Sequence, residues 1–151
     1  MPARVAASAL PRPTRRFVDF VQGICFLGSM ATMRYIVSDI PRAVAFYSRK
    51  LVFKVEKQVG RAIANVVHGD LSLWLSGPES SAGRPQADGR RAVPGGWNRI
   101  VLKVEKLDEV VAALAKAEVP FRGEMMAGPG GRKIIVEDPD GNPIELFEAS
   151  A

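Results

Sequence analysis

Glu145 stands between apolar neighbours near the end of the chain, in "DPDGNPIELFE" at 138–148. A carboxylate flanked by Ile144 and Leu146 is costly to bury unless it is paired. A divalent cation, an arginine or water would each serve, and each implies different chemistry. On a cation, Glu145 is a metal ligand. Beside an arginine, it orients a polar ligand or acts as a general base. Few groups could join it at a metal: His68 is the single histidine and Cys25 the single cysteine. Four-ligand zinc sites built from Cys and His are therefore out of reach. Nucleophilic triads fail for the same reason, because Cys25 lies in an N-terminal extension and His68 in an expected surface turn. The cluster "GPGGR" at 128–132 leads into a strand-like run and lacks a Lys-Ser/Thr ending. It reads as a turn, not as a phosphate loop.

The elements that would position Glu145 follow from periodicity. "MRYIV" at 33–37 reads as a strand. In "SDIPRAVAFYSRKL", Ser38 or Asp39 can cap a helix whose first turn holds Pro41. Ile40, Val44, Tyr47 and Leu51 then form one helical stripe. "FKVEKQV", "AIANVV" and "LSLWL" read as strands, the last two joined by the "HGD" turn. The second half repeats this order. "NRIVLKV" is a strand. "LDEVVAALAKAEV" is a helix with Leu107, Val111 and Leu114 on one face, ended by Pro120. A poorly defined strand lies near "FRGEMMA". "RKIIVED" and "NPIELFE" pair across Asp140–Gly141. The fold class is thus α+β, two tandem βαβββ modules with mixed sheets. The expected boundaries are an extension over 1–29, poorly ordered, and a domain over 30–149. That domain divides into a module 30–78, a connector 79–96 and a module 97–149. The stretch 76–97 is rich in Gly, Pro and Ser and has no period; it reads as a solvated crossover or a lid.

Charge narrows the partners. The net charge is +5, but residues 1–29 carry +3 of it, from Arg4, Arg12, Arg15 and Arg16 against Asp19. The remainder carries only +2 and shows no basic helix, which argues against nucleic acid. The apolar run from Phe17 to Leu27 is interrupted by Asp19 and Gln22 and is too short to span a bilayer. A lone cysteine suits a reducing, cytoplasmic setting.

"YIVSDIPRAVAFYSRKLVFKV" and "VEDPDGNPIELFE" together resemble the opening helix and closing hairpin of the vicinal oxygen chelate superfamily. That superfamily includes glyoxalase I, bleomycin-resistance proteins, fosfomycin-resistance enzymes and extradiol dioxygenases. The resemblance covers about residues 33–148. It implies a glyoxalase-like fold with cup-shaped sheets, frequent homodimers, and a divalent ion held on the first and last strands of each module. Two of the implied ligand positions lie seven residues before each helix start, at Thr32 before Asp39 and at Arg99 before Lys106. Matching Gly69 to Gly141 puts Leu73 opposite Glu145 as the other two. Leucine has no donor atom, arginine stays protonated, and threonine is a weak ligand. Glu145 alone is plausible, so no metal or other cofactor is expected.

Alternation places Met33, Tyr35 and Val37, with Ile100, Leu102 and Val104, against the helices. Thr32, Arg34, Arg99, Val101, Lys103, Glu145 and Phe147 then line the cup as candidate ligand-binding residues, with Glu145 the one candidate catalytic group. Trp74, set opposite Leu146, goes with the helix side. Glu145 is expected to meet Arg99 or Arg34. The favoured function is a small-molecule-binding, resistance-like module that works without a metal. The alternatives are a metal-dependent lyase, dioxygenase or resistance transferase, an acid–base enzyme using Glu145 beside Arg99, and a dimer with a vestigial cup.

Overall fold

The computed structural model describes residues 18–21, 24–27 and 32–150. Val18–Val21 (β1) and Ile24–Leu27 (β2) pair antiparallel within a unit formed by residues 1–30. This hairpin falls inside the extension expected to be poorly ordered over 1–29, most of which, residues 1–17, lies outside the described residues.

The second unit, residues 31–151, carries the repeat. Its first module runs Thr32–Ile36 (β3), Ile40–Lys50 (α1), Lys54–Val59 (β4), Ile63–His68 (β5) and Leu71–Ser76 (β6). Its second runs Ile100–Lys103 (β7), Leu107–Lys116 (α2), Phe121–Gly128 (β8), Gly131–Glu137 (β9) and Pro143–Ala149 (β10). The sheet orders are β3-β6-β5-β4 and β7-β10-β9-β8. In each, the first and last strands of the module are parallel and the other pairs antiparallel. The expected pair of βαβββ modules with mixed sheets is the fold found.

Each helix is fixed by its ends and by one apolar face. Asp39 caps α1 by accepting from Arg42 N at 2.8 Å. Ile40, Ala43, Phe46 and Tyr47 are buried, while the expected Val44 is half-buried. Lys106 gives α2 no side-chain cap. Glu148, on β10, supplies the missing acceptor to Leu107 N at 3.0 Å. Arg132 beside it, and then this backbone bond, hold the Glu148 carboxyl below its ordinary value.

Both helices exit through a left-handed residue, Val52 (φ 59°) and Glu118 (φ 57°). Glycine suits that conformation, whereas a β-branched side chain is strained by it. Val52 is 79% exposed, so its side chain adds little packing. Val52→Gly should therefore stabilise the protein by about 1 kcal/mol, seen as a raised urea midpoint with an unchanged slope.

The seam between the modules is polar at defined points. Tyr35 OH donates to Pro143 O at 2.7 Å and accepts from Ile100 N at 3.0 Å. Asn142 Nδ2 donates to Ile36 O at 2.9 Å, and Tyr47 OH to Asp138 Oδ2 at 3.0 Å. Around these points the apolar core is packed tightly, with Val37, Leu73, Leu75, Leu107, Ile144 and Leu146 essentially inaccessible.

The repeat is in a different register from the one read off the glycines. Val37 N bonds Ser76 O and Val104 N bonds Phe147 O, at 3.0 and 2.9 Å. Ser76 therefore matches Phe147, and Trp74, not Leu73, matches Glu145. The cause is turn length. Gly69–Asp70 close the β5–β6 hairpin, whereas residues 138–142 close β9–β10. Matching the glycines slips the strand by one residue, which exchanges its faces. Leu73 is buried and Trp74 is 39% exposed. The helix-side placement of Trp74 is thus corrected: it faces the cup.

The connector holds one 3₁₀ turn, Ser81–Gly83, and no strand or longer helix. Its far end is tied to the second module. Gly95 N donates to Asn142 Oδ1 at 2.8 Å, and Arg122 Nη1 to Gly96 O at 2.5 Å. Arg122 also lies 4.8 Å from the Trp97 ring centroid.

Candidate functional site

The faces turned away from the helices form two groups, one per sheet. On the first, the parallel pairing sets Thr32 beside Ser72, Arg34 beside Trp74 and Ile36 beside Ser76. Next along lies β5, where Asn65 is opposite Trp74 and Ile63 opposite Ser76. The Arg34 guanidinium sits 4.9 Å from the Trp74 ring centroid. Its Nη1 donates to the buried Ser76 Oγ at 2.7 Å. Ser72 Oγ donates to Asn65 Oδ1 at 3.0 Å, and Asn65 Nδ2 to Glu56 Oε2 at 2.6 Å. A cleft of about 570 Å³ opens here, lined by Glu56, Lys57, Val59, Ile63, Asn65 and Trp74. That volume suits a drug-sized ligand.

On the second sheet, Val101 pairs with Glu145 and Lys103 with Phe147. Arg99 precedes β7 and reaches back. Its Nε and Nη2 both approach Glu145 Oε2, at 2.8 and 2.6 Å, and its Nη1 donates to Trp97 O at 3.1 Å. Lys133 Nζ lies 3.8 Å from the same Oε2. Glu145 is buried, and Arg99 retains 27% of its side-chain exposure. Glu145 therefore meets Arg99; Arg34 is engaged with Trp74 and Ser76. Two clefts flank the pair. One of about 320 Å³ reaches Lys133, Glu145 and Phe147. One of about 280 Å³ reaches Trp97, Arg99 and Arg122.

The candidate residues divide accordingly. Arg99, Val101, Lys103, Glu145 and Phe147 come together on the second sheet, and Thr32 and Arg34 belong to the first. Trp74, Asn65 and Lys133 were missed. Trp74 was legible in "LSLWL": Leu71, Leu73 and Leu75 alternate with Ser72 and Trp74, which puts the tryptophan opposite the leucines. His68 ends β5, is exposed, and packs its ring 5.2 Å from that of Phe53.

The metal positions implied by the resemblance become Thr32, Trp74, Arg99 and Glu145 in the observed register. An indole N–H only donates, a guanidinium stays charged, and the one carboxylate already accepts from that guanidinium. This donor set does not fit a divalent ion. Among the described residues, no three His, Cys, Asp or Glu side chains are grouped to hold one. No described helix is long and apolar enough to cross a membrane.

Residues 29–146 match the profile of the Glyoxalase/Bleomycin resistance protein/Dioxygenase superfamily. A member of that superfamily from Sphaerobacter thermophilus DSM 20745 is 29% identical, with a TM-score of 0.64 over 80% of this chain and 97% of its own. TnmS3, an antibiotic binding protein from Streptomyces sp. CB03234, is 27% identical, with a TM-score of 0.60 over 79% and 93%. A lactoylglutathione lyase from Agrobacterium tumefaciens is 20% identical, with a TM-score of 0.64 over 80% and 93%, a likeness of fold. A comparison with curated proteins finds no match.

Proposed function

The chain belongs to the glyoxalase/bleomycin resistance protein/dioxygenase superfamily, and from that premise we propose that it binds a small molecule on its concave faces without a metal. One observation carries this reading. The single carboxylate at the superfamily's ligand positions is held by Arg99 at 2.6 and 2.8 Å. A buried ion pair of that kind is a fixed fixture of the cup, and a cation entering there would have to displace a guanidinium. The likeness to TnmS3, described as antibiotic binding, supports binding over turnover. Arg99, Lys103 and Lys133 favour a neutral or anionic ligand on the second sheet, with Val101 and Phe147 as apolar walls. Thr32 and Arg34 serve the first sheet. In this reading a homodimer closes the clefts, since each of the three described above is lined from one module or its adjoining connector end.

A metal-dependent lyase or dioxygenase is the second reading, favoured only by the fold and by Glu145. The acid–base variant would leave Glu145 only its Oε1 to act as base, since Arg99 and Lys133 both approach Oε2. The metal content of the dialysed protein, with its melting temperature with and without chelator, separates the metal-free and metal-dependent readings.

A further inference from the structure

Trp74 is a large aromatic side chain at the middle of a sheet, on an interior strand, and 39% exposed. Its surroundings hold it as if for use. β6 lies between β3 and β5. From the β3 side the Arg34 guanidinium covers one ring face at 4.9 Å, and the buried Ser76 hydroxyl fixes that guanidinium at 2.7 Å. From the β5 and β4 side the ring borders the cleft of about 570 Å³. Arg34 thus covers one face, and the ring also lines that open cleft together with Asn65. Val59 and Ile63 supply apolar walls to that space, while Lys57, Asn65 and Glu56 supply a polar edge. The Ser72–Asn65–Glu56 chain of hydrogen bonds, at 3.0 and 2.6 Å, sets that edge in place.

Resting on the small-molecule reading above, we propose that Trp74 is the ligand platform of the first module. It takes a flat, conjugated ring system, neutral or anionic, stacked on the ring face that Arg34 leaves free. Flatness follows from the geometry, since a rigid indole beside a cleft gains most from a second planar π surface. The charge preference follows from Arg34. A guanidinium already draws on the negative face of the ring, and a second cation on the far face would compete for the same electrons and be repelled. Lys57 at the rim adds a site for an acidic group. Trp74 occupies the place that Glu145 holds in the other module, so the two halves of the repeat offer different chemistry. One stacks a ring, and the other presents a charged pair.

The test is isothermal titration calorimetry of the full chain with three probes of comparable apolar size. Anthracene-2-carboxylate is flat and anionic, adamantane-1-carboxylate is anionic but not flat, and proflavine is flat but cationic. The wild type should bind the first at least about tenfold more tightly than either of the others. Trp74→Leu and Trp74→Gln should each lose about tenfold for anthracene-2-carboxylate. Trp74→Phe should recover most of the affinity. The position is partly exposed, and far-UV circular dichroism confirms folding of each variant. If both Trp74 variants bind as the wild type does, the platform is wrong and the small-molecule reading stands. Equal binding of the adamantane acid also overturns it. If no probe binds while non-planar compounds stabilise the protein, the platform again falls alone; if nothing of any shape binds, both fall. Dimerisation that Trp74→Gln abolishes, with no probe bound by the wild type, assigns Trp74 to an interface and overturns the proposal.

Discussion

Asp138→Ala should destabilise the protein by about 3–4 kcal/mol, a larger effect than any substitution on the concave faces. Asp138 is 1% exposed and takes four hydrogen bonds. Its Oδ1 accepts from the backbone N of Asp140 and of Asn142, both at 2.9 Å. Its Oδ2 accepts from Asn142 Nδ2 at 2.8 Å and from Tyr47 OH at 3.0 Å. Removing the carboxylate leaves those donors facing a cavity, and each unmade buried bond costs about 1–3 kcal/mol before relaxation. The damage spreads through Asn142, which also bonds Ile36 O and Gly95 N. The melting temperature should fall by roughly 6–16 °C for a chain of this size. Asp138→Asn should fall between, because its amide presents a donor where Asn142 Nδ2 already donates.

The same residue gives a pH signature of known sign. Burial, opposed by its hydrogen bonds, raises the Asp138 pKa above its ordinary value of 3.8. Below that value the group is protonated whether folded or not. As pH rises above it, the folded state keeps the proton longer than the unfolded chain does. This group's contribution therefore falls across the window from 3.8 up to the raised folded value, and the cost is fully present above that. Glu148 acts in the opposite sense. Its pKa is lowered by Arg132 and then by Leu107 N, so its stabilisation is present above the ordinary value of 4.5 and is lost on acidification. The pH profile of Tm in Asp138→Asn, subtracted from that of the wild type, should show a wild-type advantage that shrinks as pH rises from 3.8.

Arg99→Ala should cost about 2 kcal/mol, the second largest effect. It strands a buried carboxylate whose remaining cation, Lys133, lies 3.8 Å away. A fully buried pair would lose more, but Arg99 is 27% exposed and water can reach the vacated side. Adding Glu145→Gln to Arg99→Ala should recover at least half of the loss, since the cost is the unpaired charge and not the missing contact. Urea unfolding of the two single variants and the double variant closes the cycle. An additive result would mean that the two groups do not act as a pair.

Much of this was legible because strand and helix periodicities are local. The order βαβββ, its repetition and the buried stripe around Ile40 and Tyr47 follow from spacing of two or from 3.6 residues per turn; spacing left Arg99 and Arg34 both open as partners of Glu145, and tertiary placement selects Arg99. Register across the repeat was not. A glycine marks a turn but not its length, and Gly69–Asp70 does in one hairpin what residues 138–142 do in the other. The resulting slip of one residue hid Trp74 behind Leu73. Long-range polar contacts were equally invisible. Nothing near Lys106 announces that its helix is capped from Glu148. Nothing in "FRGEMMA" announces that Arg122 bonds Glu137, Gly96 and Gly141 while lying against Trp97. Such contacts are fixed by tertiary placement, which a single sequence does not encode locally.

The central claim is that Glu145 belongs to Arg99 and not to a metal. Elemental analysis of the purified, dialysed chain tests it most directly, with chelator melts of the wild type and Glu145→Gln alongside. The account predicts zinc, nickel, manganese and iron well below stoichiometric amounts, and a melting temperature that chelator does not move. A stoichiometric metal, lost in Glu145→Gln together with a chelator-induced drop of several degrees, would contradict it.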